Sequence, residues 1–463
     1  MKPVRVLIRI KRKGAVLILS LIFVLLFSTL AISTVTICGI NTQIADNMHK
    51  ANSARACAES GLNVLSYWLY NTAIPGTTAP EERLNLFASS LQSILSTNNI
   101  SNITTSYDGS TITISNVTLQ ADESEYFSAE ISQTDTDTIQ VNITGTHGTI
   151  SRAIRVNYSF GPRANTAFDF GVASKGPLSL TGNIDIESTN IDVESNAYIE
   201  SENSIEALSI TGNSQIAGKV KIVNSIATVS IQGGNAGVGG ETGQDAMDNI
   251  EFGVPPTDFP KPNPDYFEPY AVNIIDANTD TSLDATYENV RIPAGTNPNF
   301  SGQITLKGVV FIEAPNVVTF TGNTNLTAIV VGNGDWSDDS GTNSISFEGN
   351  VESNPVSELP DETQYTGLRD KTGTFVMAPG FHVSFGGNFT ALCGAIAGNG
   401  IKFHGNAGGI INGSIINYSN QNMSLTGNSD LRFNRSGITR IPAGFTPELI
   451  LHYVPSSYTE TTL

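Results

Sequence analysis

The first seventy positions arrange polar and apolar residues in blocks. Six basic residues (Lys2, Arg5, Arg9, Lys11, Arg12, Lys13) precede Gly14, and from Ala15 to Ala45 no residue is charged. As a helix, residues 15–40 would be roughly 39 Å long at about 1.5 Å per residue. That length crosses a ~30 Å hydrocarbon core with some tilt, and it exceeds the about 7–15 apolar residues of a secretory signal. Past it, Ile44, Met48, Ala51, Ala54, Ala58, Leu62, Leu65 and Leu69 recur at steps of three or four, with Lys50, Arg55 and Glu59 off the stripe. This is one face of an α-helix. The stripe can pack on its own domain alone, or on that domain and neighbouring subunits; the spacing leaves both open.

Residues 81–97 predict a second amphipathic helix, with Leu84, Phe87, Leu91, Ile94 and Leu95 on one face. Strand alternation follows at Thr111–Ile114, Thr138–Ile143 and Ser151–Tyr158, and Gly145-Thr146-His147-Gly148 is a turn signal joining the last two into a hairpin. His147 reads as a surface residue of that turn.

From about residue 170 to 430 one short pattern recurs: apolar, polar, apolar, any residue, Gly, Asn. Copies start at Leu178, Leu208, Val318, Ile345, Val383, Ile401 and Met423, with a near-copy from Val229 to Asn235. Each reads as a short strand ending in a corner, where Gly, and next best Asn, tolerates positive φ. Such a strand cannot bury its apolar face alone. Stacking successive copies at about 4.8 Å builds a continuous core and lets the asparagines ladder. The repeat therefore predicts a right-handed parallel β-helix over 161–450, interrupted at about 236–300 by a Gly-rich and then a Pro-rich stretch. Tyr266, Phe267 and Tyr270 in that stretch are expected to cover an end or flank of the rod. A tail is expected over 451–463.

Composition agrees with a β-rich, turn-rich protein: 14% charged residues and 43 glycines. There are 24 basic and 43 acidic residues, six of the basic ones in the leader. An acidic remainder is a poor match for nucleic acid. Cys38, Cys57 and Cys393 make no disulfide framework; a Cys57–Cys393 bridge is conceivable but not expected. Asn102, Asn142 and Asn325 head glycan-acceptor triplets of a kind that arise by chance in so Asn-rich and Thr-rich a chain.

Lys13-Gly14-Ala15 before an apolar run resembles the cleavage region of type IV prepilins. The resemblance implies that a prepilin peptidase cuts after Gly14 and that the new N-terminus, Ala15, is methylated. Ala56-Cys57-Ala58-Glu59-Ser60-Gly61-Leu62 resembles a segment of PilX-type minor pilins and of the large minor pseudopilin of type II secretion. On that likeness Ala58, Glu59, Gly61 and Leu62 form a helix-assembly segment. The resemblance covers residues 1 to about 160 and implies a pilin-like α+β fold: a leader over 1–14, a stem helix over 15–72 and a head over 73–160. Major pilins carry Glu at the fifth mature position, where this chain has Leu19. A buried charge in lipid is costly unless paired, so Leu19 fits a minor subunit at a tip or initiation complex. The implied partners are the membrane, other pilin-like subunits and surface glycans. The implied location is single-pass in the cytoplasmic membrane with the C-terminal part exported, in keeping with the basic leader.

Candidate chemistry is thin. Asp335, Asp338 and Asp339 flank Trp336 in a loop between repeat copies and could hold Ca²⁺, although an ordinary acidic turn fits the spacing better. His382 and His404 read as stacked surface histidines rather than a metal pair. No nucleophile triad or zinc motif is present. The reading is a non-catalytic, contact-making subunit with no required cofactor. A membrane-anchored β-helix that binds or degrades polysaccharide is the alternative, and a purely architectural envelope protein a third.

Overall fold

The charge-free run and the stripe that follows it form one continuous helix, α1, Lys13–Asn71. The computed structural model describes residues 13–119, 124–257, 259–437, 439 and 441–462, and divides the chain into two units. The leader expected over 1–14 lies outside the described residues up to residue 12.

The first unit comprises residues up to Ile74, Thr78–Gly161 and Leu449–Leu463. Its sheet runs, in spatial order, Glu448–Thr462, Ile150–Arg163, Thr138–His147, Glu125–Asp135, Thr111–Thr118 and Thr105–Tyr107. From Ile150–Arg163 outward every pairing is antiparallel. The hairpin is tighter than expected. His147 pairs with Ile150, so only Gly148 (φ +58°) and Thr149 turn the chain. Strand Glu125–Asp135 was not anticipated; its inward positions Phe127, Ala129 and Ile131 are buried. Helix α2, Arg83–Thr97, buries Leu84, Phe87, Leu91 and Leu95 as expected and adds Ala88, while Ile94 is only half-buried.

The C-terminal residues are not a tail. They form the 15-residue strand Glu448–Thr462, which lies beside Ile150–Arg163. Ser457 Oγ accepts from Asn157 N at 2.7 Å, and Leu451 is buried in the head core. It is an inner strand, with the two-residue strand Ile74–Pro75 on its other side, and Ile450 is buried beside Leu451.

The second unit, residues 75–77 and 162–448, is built from short parallel strands in stacks. The first and last turns pass through three sheets in rotation, as in Val172–Ser174, Leu178–Gly182, Asp185–Ser188, then Ala197–Ile199, Glu206–Gly212, Gln215–Ile216. From Ala285 to Phe347, by contrast, long strands of the twelve-stranded sheet alternate with strands of the nine-stranded sheet alone. Every copy of the repeat falls in a single nine-stranded sheet. Inward positions align in columns. Phe300, Phe320, Phe347, Phe385 and Phe403 stack with centroid spacings of 4.8, 5.0, 5.2 and 5.0 Å, the separation of adjacent strands. Leu425, Leu180, Ile210 and Ile231 continue the column.

The repeat glycines serve two needs. Gly182, Gly212 and Gly427 have positive φ (+127°, +90°, +97°). Gly322, Gly349 and Gly387 do not; a Cβ on Gly322 would sit 1.8 Å from Gly302 O, and on Gly349 2.1 Å from Gly322 O. There, backbone approach between rungs forbids a side chain. The asparagines ladder as expected: Asn235 donates to Asn213, Asn213 to Asn183, Asn183 to Asn428 and Asn428 to Asn406, at 3.4, 2.9, 2.9 and 3.4 Å.

The stacking order departs from the chain order. The first rungs advance from Val172 to Phe252 in one direction, and the chain then restarts beyond the opposite end at Asn273–Ile274. It returns rung by rung until Ile415–Asn417, Met423–Gly427 and Asp430–Phe433 pair with Val172–Ser174, Leu178–Gly182 and Asp185–Ser188. The interruption expected at 236–300 is shorter than that, because Gly237–Val238 and Ile250–Phe252 still pair with rungs. The crossing segment, residues 253–257 and 259–272, lies on the outer face of the twelve-stranded sheet. Its Phe267 is fully buried among Val309, Phe311, Ile329, Met377 and Ile416, and Tyr418 Oη donates to Pro260 O at 2.5 Å. These prolines and aromatics cover a flank, so the strands beneath are apolar on both faces, as in Thr374–Ala378.

Candidate functional site

Helix α1 changes character along its length. From Val16 to Ile40 its large apolar side chains are exposed, and residues 16–71 are long and apolar enough to cross a membrane. Five hydroxyls in and just past this stretch bond within the helix. Ser20, Thr29, Thr34, Thr36 and Thr42 each donate to a carbonyl three or four residues earlier, at 2.8–2.9 Å. That is how a hydroxyl is accommodated where no water can reach it. Leu19 lies in this exposed stretch.

The stripe then divides. Ile44 and Met48 are 51% and 61% exposed, whereas Ala54, Ala58, Leu65 and Leu69 are buried against the head sheet. Two glycines set the distance of approach. A Cβ on Gly145, in strand Thr138–His147, would lie 2.2 Å from Ala54 O and 2.3 Å from Ala58 N; one on Gly61 would lie 2.6 Å from Phe127 Cγ. Each surface lacks a side chain where the other protrudes, so helix backbone rests on strand backbone.

The proposed assembly residues therefore take different positions. Ala58 and Gly61 are consumed by this internal seam, and Leu62 packs half-buried on the head core. Glu59 points outward; Arg55 Nε donates to it at 3.0 Å, and Arg55 Nη2 reaches Glu460 of the C-terminal strand at 2.7 Å. Gly14 and Ala15, where cleavage is expected, lie in the helical backbone of α1, with their side chains outside the described residues. His147 ends its strand with Nδ1 2.8 Å from Glu125 Oε1. Spacing had made the Ala54–Leu69 stripe visible. Nothing in it could show that Gly145, ninety residues on, completes the seam.

In the stacked unit the three loop carboxylates are not brought together. Asp335 Oδ1 accepts from Ser337 N and Oγ, and Asp338 Oδ1 accepts from Ser340 N; the Ser337 bonds hold the Asp335 carboxyl below the usual range, and the Ser340 hydroxyl, then its N–H, do the same for Asp338. Asp339 faces elsewhere, accepting from Asn399 Nδ2 at 3.2 Å and Asn420 N at 3.1 Å. Among the described residues no group of three His, Cys, Asp or Glu side chains could hold a metal ion. The expected histidine stack does not form. Val383 pairs with Ile401, which leaves His382 and His404 in different columns. His404 Nε2 is 3.4 Å from Glu348 Oε1 across Gly386, whose missing side chain makes the room. Cys38, Cys57 and Cys393 are free thiols.

No protein-family model matches the chain. No curated protein matches it. Among solved structures the chain is similar to the competence-associated pilin ComZ from Thermus thermophilus, at 12% identity and a TM-score of 0.25, over 89% of this chain and 98% of that one.

Proposed function

We propose that this chain is a pilin-like minor subunit, of PilX or pseudopilin type, of a type IV pilus or related secretion filament. Its α1 anchors it in the cytoplasmic membrane and later in the filament. Its stacked unit is a right-handed parallel β-helix, exported and displayed at the tip or in an initiation complex, where it acts in adhesion or recognition by contact, without catalysis.

The observation that carries the reading is the division of α1. One continuous helix is bare and apolar over its first half and docked by glycine seams onto a small antiparallel sheet over its second. A helix exposing that much apolar surface needs lipid or other helices around it. Ile44 and Met48 continue the stripe past the last internal contact, which leaves them to a neighbour. Leu19 supports a position where no charge pairing to a neighbour's amine is needed. A unit of nearly three hundred residues on every subunit would crowd a filament, which supports a terminal copy. The isolated turn bonds of Asp335 and Asp338 support contact rather than catalysis.

In-cell crosslinking tests this. With Cys38→Ser in place, Met48→Cys is expected to crosslink to another pilin-like subunit in its native host. Crosslinks only to lipid-anchored proteins unrelated to filaments would refute the reading.

A further inference from the structure

Trp336 is one of two tryptophans, and it is 46% exposed at the tip of the loop that leaves strand Thr324–Asn333. A lone exposed apolar residue is ordinary on a surface; what distinguishes this one is the loop that carries it. The loop is held in place. Asn399 Nδ2 donates to Trp336 O at 2.7 Å and to Asp339 Oδ1 at 3.2 Å, and Asn420 N donates to Asp339 Oδ2 at 3.1 Å. Ordering a side chain on binding costs affinity, and here much of that cost is already met by the loop's own bonds.

The surroundings restrict what can bind. Lys175 Nζ lies 5.3 Å from the Trp336 ring centroid and 5.3 Å from that of Phe259. Its ammonium rests on rings and has no carboxylate at ion-pair distance among the described residues. Asp335 and Asp338 belong to the same loop as Trp336, each spending one oxygen on its own turn. An anionic ligand meets two ionised carboxylates and a cationic one meets Lys175. A neutral molecule with many hydroxyls can donate to the carboxylates, accept from the ammonium and lay its C–H face on the indole.

Lys175 and Asn420 lead directly into strands Leu178–Gly182 and Met423–Gly427, the pair that closes the stack. Their outward residues Ser179, Thr181, Ser424 and Thr426 are uncharged hydroxyls. We propose that Trp336, with Lys175, Asp335 and Asp338, is a binding site for a neutral sugar unit of a polysaccharide or surface glycan. This deepens the contact reading given above and rests on it only for the site's biological use; the binding itself is independent of the filament.

The test uses the full chain in detergent micelles carrying Trp68→Phe, which leaves Trp336 as the sole indole. Its fluorescence is titrated with neutral hexasaccharides of glucose and of N-acetylglucosamine, and with hexagalacturonate as the anionic control. A saturable change with at least one neutral sugar is expected, weaker by about tenfold for the galacturonate. By calorimetry, Trp336→Ala should weaken that binding by at least about tenfold, the size of an aromatic hot spot, while Trp336→Tyr retains most of it. Trp336→Ala binding equal to the parent, or no response to either neutral sugar, would overturn the proposal. Loss of the Met48→Cys crosslink with intact sugar binding would instead sink the filament reading and leave this site standing.

Discussion

Asn183 Nδ2 donates to Asn428 Oδ1 at 2.9 Å although 245 residues separate them. This bond marks where the last rung of the stack meets the first. Here the chain begins in the middle, builds outward, crosses the flank and returns to its start. Asn183 also accepts from Asn213, so Asn183→Ala removes two links of an exposed ladder. The expected cost is about 1–2 kcal/mol, read as a lower denaturant midpoint for the stacked unit.

The same seam contains an unfavourable pair. Asp185 stands in register with Asp430. Partial burial, then the Asp430 charge, pushes the Asp185 carboxyl above its ordinary value, while Arg432 acts in the opposite sense. An acid whose folded value is raised binds more protons when folded, so its destabilising charge is present at neutral pH and relieved as pH falls through that raised value. Asp430→Asn is therefore expected to stabilise the unit at pH 7 by less than about 1 kcal/mol. The gain should vanish below the ordinary carboxylate range. Thermal melts of parent and variant at pH 7 and pH 2.5 check both parts.

The phenylalanine column is the strongest packing element of the stack. Phe347 lies between Phe320 at 5.0 Å and Phe385 at 5.2 Å and is fully buried. Phe347→Ala should cost about 3–5 kcal/mol, and Phe347→Leu well under half of that. Equal losses for the two would mean that ring stacking, rather than filled volume, supplies the stability.

Gly145 tests the helix seam. Any Cβ there collides with Ala54 O and Ala58 N, which are backbone atoms and cannot move alone. Gly145→Val should displace α1 from the head sheet and expose Cys57, now buried, to a maleimide in the otherwise folded protein. Unchanged Cys57 labelling would show that the seam tolerates a side chain.

How much of this was visible beforehand depended on whether a pattern has a period. The block from Ala15 to Ala45 and the stripe from Ala54 to Leu69 announce a helix because charge and spacing are local. The Gly-Asn corners likewise placed eight strands in one sheet. Strands such as Thr374–Ala378 were missed because they are buried on both faces and show no alternation. Residues 451–463 read as a tail, and the strand Glu448–Thr462 stays hidden, because its pairing partner, Ile150–Arg163, lies about three hundred residues earlier. Near-identical rungs can stack in any order, so the repeat could not reveal that Met423 pairs with Leu178. Asp335, Asp338 and Asp339 were correctly placed in one loop, but spacing could not show that Asp339 turns away to Asn399 and Asn420.

The central claim is that α1 is a pilin-type stem, and the mass of the mature chain isolated from its native membrane tests it most directly. The account predicts a protein cut after Gly14, beginning at Ala15 with a methylated amine. A mature chain that still carries Met1 and the six basic leader residues would contradict it.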